Sequence, residues 1–123
     1  MNVLCVVAHA DDEVLCAGGT MARMSDEGAD IAVLALGGAR RETETRLDLQ
    51  WQLEAATKIL DVKALQIPDF PDQQFDAVPF LELIHAIEFE VHANPPDLVI
   101  THFLHDLNQD HQLTAQAGAQ KDC

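Results

Sequence analysis

Basic residues are scarce in this sequence, in which 7 lysines and arginines accompany 21 aspartates and glutamates. The resulting net charge of −14 argues against non-specific binding of DNA or RNA, which requires a positive surface. The same charge disfavours contact with anionic membrane surfaces. A metal ion, or a small molecule that is neutral or positively charged, suits this electrostatic field better.

Long apolar runs are also missing, since no stretch approaches the roughly 20 residues that a membrane-spanning helix needs. Residues 1–4 lack the basic segment that opens a signal peptide. We therefore expect a cytoplasmic protein without a membrane span. A chain of 123 residues, 48% of them hydrophobic, can bury a core, so we expect 1–123 to form a single domain.

Closely spaced cysteine pairs do not occur in this chain. Its three cysteines, Cys5, Cys16 and Cys123, show no CxxC spacing. Their odd number and wide separation argue against a disulfide framework. Cys5 lies inside an apolar run, where cysteine behaves as a small buried hydrophobe.

The apolar runs that are present alternate with helical patterns. Continuous apolar runs predict strands buried on both faces, at 3–8, 31–36, 64–67 and 98–101. Apolar residues at helical spacing predict helices at about 12–28 and 42–60, then from Phe80 to the prolines after Asn94, and again near Asp110. Strands that alternate with helices imply parallel pairing and right-handed crossovers. The predicted fold is therefore a Rossmann-like layered α/β domain with a mostly parallel sheet.

Ligands of open α/β sheets lie beyond the carboxyl ends of the strands, and a polar cluster, residues 9–13, follows the first strand. Taken alone, this cluster could be only a well-charged helix start, where acids are favoured. The position of His9 at the strand end favours a functional site. The adjacent carboxylates Asp11 and Asp12 point in different directions, so they can take different roles.

A second cluster, residues 101–111, follows the last predicted strand and holds three histidines, two aspartates and an asparagine. The alternative is a solvated surface loop, which has no reason to favour histidine so heavily. The two clusters can meet at one edge of the sheet. Two histidines and an aspartate suit zinc with one open position for water, and a neighbouring unpaired carboxylate can act as the base.

These motifs resemble those of the PIG-L/LmbE family of zinc-dependent N-acetylglucosaminyl deacetylases. Residues 8–13, AHADDE, are similar to the AHPDDE signature, with Ala10 in place of proline. Residues 18–20, GGT, match the glycine pair and small residue that follow it. The segment 70–76 resembles the FPD…FD loop, and 101–111 resembles the second motif, TH…DxNxDH. Together they extend along nearly the whole chain in the family's order, which is much more specific than either end motif alone.

The resemblance implies a ligand set and a base. His9, Asp12 and His111 would hold the zinc ion, and Asp11 would take the proton from the attacking water. Zinc is the implied cofactor, although iron(II) could occupy the same ligands.

Further roles follow from the same resemblance. Asp110 would support the site beside the second histidine ligand, and Asp72 would lie near the sugar. Arg41 and Asn108 would contact the substrate. Some family members have a histidine at the position of Asn108, and asparagine can donate a hydrogen bond there but not a proton. Glu13 would anchor its loop.

The chain also departs from the family in length, because family domains continue well beyond the second motif. We therefore expect a domain that is truncated at its C-terminus and leaves an apolar sheet edge. Self-association into a homo-oligomer would hide that edge. From an isolated monomer we expect weak activity or none. His102 and His105 lie near the metal ligands in sequence and receive no role.

The leading functional hypothesis is removal of an acetyl group from an N-acetylglucosamine-type sugar or glycoconjugate. Two alternatives stay open: an amidase that acts on another acyl amine, and a non-catalytic module that binds metal or sugar. Turnover separates them, since the module would release no acetate. A nucleotide-binding Rossmann domain is disfavoured because Gly18 and Gly19 lie inside the first predicted helix rather than in a GxGxxG turn.

Overall fold

The computed structural model describes residues 1–38, 46–64 and 68–119. Within these ranges strands and helices alternate in the predicted order. They are β1 (Asn2–Ala10), α1 (Asp12–Asp26), β2 (Asp30–Gly38), α2 (Arg46–Leu60), β3 (Lys63–Ala64), a 3₁₀ helix (Phe75–Ala77), α3 (Phe80–Ala93), β4 (Leu98–Ile100) and α4 (Gln109–Ala119). The predicted α/β class with a parallel sheet is confirmed.

Some boundaries differ from the prediction. The third strand begins at Lys63, one residue earlier than predicted, and residues 65–67 of that prediction lie outside the described residues. Helix α1 ends at Asp26 rather than at Gly28. Gly28 lies just past that end with φ of 97°, a conformation that costs glycine little and closes a helix well.

The sheet places the carboxyl ends of the two longest strands side by side. Its described strands follow the order β3-β2-β1-β4, and every pair is parallel. In the register between β1 and β2, His9 lies opposite Gly37 and Ala10 opposite Gly38. Among the described residues no helix combines the length and apolar character needed to cross a membrane.

The core lies on both faces of β1, because successive side chains of a strand point to opposite sides. One face packs against α1 and α2 through buried residues that include Val3, Cys5, Val7, Met21 and Leu53. The other face packs under α3 and the 3₁₀ helix through Leu4, Val6, Phe75, Leu83 and Ile87. Each such side chain contributes about 1.5–3 kcal/mol on burial. The continuous apolar run of β1 is therefore explained by its cover on both sides.

Gly37 lets the segment that contains Phe70 and Phe75 approach the end of β2. The Phe70 N–H donates to the Leu36 carbonyl oxygen at 3.0 Å, and Gly37 forms an isolated parallel bridge with Phe70. A Cβ atom at position 37 would lie 2.5 Å from the Phe70 carbonyl oxygen and 3.2 Å from the Phe75 ring. The sheet end and this segment are thus in contact only because residue 37 has no side chain.

Replacing Gly37 with alanine is expected to destabilise the fold by about 1–3 kcal/mol, the usual cost of overpacking a filled interior. Urea denaturation followed by circular dichroism measures it. Gly19→Ala is the matched control, because a Cβ there meets nothing within 4 Å. Inside α1 that change should stabilise by about 0.5–1 kcal/mol. Equal unfolding midpoints for the two variants would contradict the packing argument.

Candidate metal centre

Three elements bring His9, Asp12 and His111 together at the carboxyl end of the sheet. His9 is the penultimate residue of β1, Asp12 begins α1, and His111 lies in the first turn of α4. One ligand atom of each lies within 4.8 Å of the others. Asp12 Oδ2 is 3.1 Å from His111 Nε2 and 3.5 Å from His9 Nδ1. Two imidazole nitrogens and a carboxylate oxygen are donors that zinc prefers.

The turn between β1 and α1 is built around an unusual backbone at Asp11. Its φ is 125°, a backbone conformation that residues other than glycine rarely adopt. The Asp11 N–H donates to the buried Glu13 carboxylate at 2.8 Å, and the His9 N–H donates to Asp12 Oδ2 at 3.2 Å. Glu13 therefore anchors this turn, and the bond to the His9 N–H holds the Asp12 carboxylate against β1.

The Asp11 carboxylate remains available for chemistry. The residue is exposed, and within the described ranges no hydrogen bond to its carboxylate is found. Partial loss of hydration in the turn raises the pKa of Asp11 above its usual value, and the negative charge of Asp12 raises it further. A carboxylate with a raised pKa and no fixed partner can accept and return a proton.

Asp110, which the sequence predicted to support the site, is buried and bonds to His9. Its Oδ2 lies 2.8 Å from His9 Nε2 and also accepts from the Gln73 N–H at 2.6 Å. Its Oδ1 accepts from the Phe75 N–H at 3.0 Å. A carboxylate on Nε2 keeps a proton there and turns Nδ1 towards Asp12, as carboxylate partners of metal-bound histidines do.

The charge on His9 follows from these contacts. Burial lowers the pKa of His9, but the hydrogen bonds with Asp12 and Asp110 outweigh burial and raise it to about 9. An ion at this site would therefore displace a proton from His9, as metal binding to histidine requires.

Asp110→Asn is expected to weaken metal binding about 10–100-fold, the usual effect of removing a partner of a metal-bound histidine. The amide keeps the shape of the carboxylate but loses its charge, so it holds the His9 Nε2 proton less firmly. Competition with a chromophoric chelator measures the zinc affinity. Asp26→Asn, exposed at the far end of α1, is the control and should leave affinity unchanged. Native affinity in the Asp110 variant would contradict this role.

The segment before the 3₁₀ helix brings Asp72 to the site. Its Oδ1 lies 3.1 Å from His9 Nε2, and 34% of its side chain is exposed. Asp72 therefore lies at the rim of the cluster, where a bound molecule can reach it. The predicted contact Arg41 falls within 39–45, outside the described residues.

Asn108 caps helix α4, a structural role that its sequence position also signals. Its Oδ1 accepts from the N–H groups of Asp110 at 2.9 Å and His111 at 3.3 Å. Asparagine is among the best residues at this position. One N–H of its amide group donates to Gln73 Oε1 at 3.2 Å, so the second N–H is left to donate to a bound molecule.

Two residues of the second cluster received no role from the sequence yet contact a predicted ligand. Asp106 Oδ2 lies 3.4 Å from His111 Nδ1. The Asn108 N–H donates to Asp106 Oδ1, and this bond, with smaller effects of His111, lowers the pKa of Asp106. The His102 side chain is buried and stacks on the His111 ring, and burial lowers the pKa of His102 to about 4. His105 is exposed.

Two further groups in the described residues have metal-ligand spacing, but each has a competing use for its donors. They are His102, Asp106 and His111, and His9, Asp72 and Asp110. The His102 and His111 rings are stacked within 10° of parallel, so their in-plane lone pairs cannot converge on one ion. The Asp110 carboxylate already accepts from two backbone N–H groups. The set of His9, Asp12 and His111 fits an ion best.

Comparison with known proteins relates most of the chain to one family. The family model described as PIG-L, GlcNAc-PI de-N-acetylase, matches residues 4–121. A protein of Bacillus cereus named probable N-acetyl-alpha-D-glucosaminyl L-malate deacetylase 2 is 30% identical over 131 residues. That match covers 94% of this chain and 58% of the relative, so the chain spans little more than half of it.

Solved structures with the same fold are named for different activities. The 4-carboxy-2-hydroxymuconate hydratase GalB of Pseudomonas putida KT2440 matches with a TM-score of 0.82 and 22% identity, over 98% of this chain and 55% of that one. The N,N'-diacetylchitobiose deacetylase of Pyrococcus horikoshii matches with a TM-score of 0.82 and 21% identity, over 98% of this chain and 48% of that one. The fold alone therefore does not select the reaction.

Proposed function

Since the chain belongs to the PIG-L family of GlcNAc-PI de-N-acetylases, we propose that it is a metal-dependent hydrolase of N-acetylglucosamine-type sugars or sugar conjugates. The reaction removes the acetyl group as acetate and leaves a free amine. The observation that carries the proposal is the approach of ligand atoms of His9, Asp12 and His111 within 4.8 Å of one another. The adjacent Asp11 carboxylate accepts no hydrogen bond from the residues that the structure describes. Residues 1–123 then belong to a single domain of this family.

The ion is held by His9 Nδ1, Asp12 and His111 Nε2 in this proposal. Zinc suits two imidazoles and a carboxylate, and iron(II) accepts the same donors. Lewis acidity towards the acetyl carbonyl and the attacking water is the chemistry that such an ion supplies when bound. The buried carboxylate of Asp110 behind His9 supports this assignment, because it fixes which ring nitrogen faces the cluster.

Asp11 is the proposed general base. It takes a proton from water as the water oxygen bonds to the acetyl carbon, and it returns that proton to nitrogen as the carbon–nitrogen bond breaks. A single carboxylate can serve both steps because each leaves it in the state that the next one needs. The raised pKa of Asp11 brings the group nearer to neutral pH, where proton transfer in both directions is efficient.

Substrate contacts are proposed for the rim of the site. Asp72 is partly exposed beside His9 and can accept hydrogen bonds from sugar hydroxyls. The Asn108 amide can donate to an oxygen of the sugar or of its conjugate, and Arg41 is a further proposed contact. The product is a cationic amine, and the acidic groups at this rim favour it electrostatically.

The proposal is tested with the full chain, loaded with zinc or iron(II), on a panel of N-acetylglucosamine conjugates. We expect one ion per chain by elemental analysis, and acetate release that a chelator abolishes. A chain that binds no ion would refute the proposal. A chain that binds an ion and releases no acetate from any conjugate would instead support a non-catalytic module.

A further inference from the structure

The two residues that follow β4 continue its hydrogen bonding to β1 with their side chains. The paired register of the two strands ends at Cys5 and Ile100. Past that point the Thr101 hydroxyl donates to the Val6 carbonyl oxygen at 2.8 Å, and the Ala8 N–H donates to His102 Nε2 at 2.9 Å. Thr101 and His102 thus supply the donor and the acceptor, respectively, that a longer β4 backbone would have provided.

The bond from Ala8 fixes the protonation pattern of His102. A backbone N–H can only donate, so Nε2 of His102 must present its lone pair and the ring proton must be on Nδ1. The side chain is 4% exposed, so the ring is held among protein groups rather than by water. His102 is therefore a neutral, oriented imidazole attached to the strand that also carries His9.

The face of this fixed ring lies against His111. The two imidazole rings are stacked, with centroids 3.8 Å apart and planes within 10° of parallel. Rotation of the His111 ring about its χ2 bond would drive its edge into this face. In the stacked orientation His111 Nε2 lies 3.1 Å from Asp12 Oδ2, within the proposed ligand set.

We propose that His102 is a positioning residue of the metal centre: it is anchored on the Ala8 N–H and holds the His111 imidazole in the plane that presents Nε2 to the ion. The inference rests on the proposed metal site and adds a residue that is not a ligand. Nε2 of His102 is committed to Ala8, and nearly parallel rings cannot both point at one ion.

Two substitutions separate the two features of His102. His102→Gln keeps an acceptor at about the place of Nε2 but loses the flat ring, and His102→Phe keeps the flat ring but loses the acceptor. Thr101→Val is the control, because it removes the neighbouring bond to Val6 without changing the stack. Each full-length variant is assayed for zinc affinity by chelator competition, for the visible spectrum with cobalt(II), and for urea unfolding without metal.

We expect the glutamine variant to bind zinc about 10-fold or more weakly, as loss of a residue that orients a ligand does, and to show an altered cobalt spectrum. The phenylalanine variant should bind zinc like the native chain but unfold at lower urea, because the Ala8 N–H loses its partner. Thr101→Val should also unfold earlier and keep native affinity. A glutamine variant with native affinity and spectrum, or equal affinity losses in both His102 variants, would overturn the inference.

Failure of the metal site itself is distinguishable. If the native chain binds no ion, the proposed function fails. The stacking of His102 on His111 is then measured by NMR in the metal-free chain. There the His111 ring protons should shift in His102→Gln, which removes the ring current, and less in His102→Phe. Unchanged His111 signals in the glutamine variant would overturn the positioning role whatever the outcome with metal.

Discussion

Asp11→Asn should leave the metal content of the chain unchanged and lower acetate release about 10²–10⁴-fold, the usual worth of a positioned acid or base. Asparagine has the shape of aspartate but cannot accept a proton. It also tolerates the positive φ at this position better than most residues, so the turn is preserved. The bond to the Glu13 carboxylate uses only the backbone N–H of residue 11, so it survives the change.

Asp12→Asn is the matched control for this experiment, since it neutralises the next carboxylate along the chain. Because Asp12 belongs to the proposed ligand set, its variant should lose bound metal together with activity. Acetate release and metal content, measured on the same samples, separate a lost base from a lost ligand. Native turnover in metal-loaded Asp11→Asn would exclude Asp11 as the base, and loss of metal from it would show that Asp11 holds the ion.

Much of the fold could be predicted because β1 and β2 are covered on both faces. Such strands need continuous apolar runs, and 3–8 and 31–36 show them. The 3₁₀ helix at Phe75–Ala77 was missed in a segment that contains Pro71 and Pro79. Phe75 is fully buried there because Gly37 lets the segment approach, a long-range contact with no local signal.

The site shows where a linear motif stops being informative. Asp110 and His111 are consecutive on α4, so their side chains leave the helix about 100° apart and cannot serve the same partner. The sequence predicted only that Asp110 supports the site, and its bond to His9 could not be read from the motif. The capping role of Asn108 could have been predicted from the sequence, because asparagine directly before a helix is a known start signal. No local rule leads from His102 to the Ala8 N–H.

His111→Ala is expected to lower zinc affinity more than 100-fold. Structural zinc sites with four ligands bind with about 10–16 kcal/mol, or about 2.5–4 kcal/mol for each ligand, and the middle of that range corresponds to a factor of more than 100. The metal-free fold should persist, because alanine favours the first turn of α4 and Asn108 still caps it through backbone N–H groups. Circular dichroism checks this point before zinc is added.

His105→Ala is the control for that experiment, because His105 is an exposed histidine of the same loop. It should retain native zinc affinity, so the comparison isolates the position of the imidazole from the number of histidines. One competing ligand group does not contain His111, so the experiment separates that group from the proposed set. If His9, Asp72 and Asp110 held the ion, removal of His111 would leave zinc bound. Native affinity in His111→Ala would therefore show that the metal centre lies on the other side of the His9 ring. Asp11 would then not be the base.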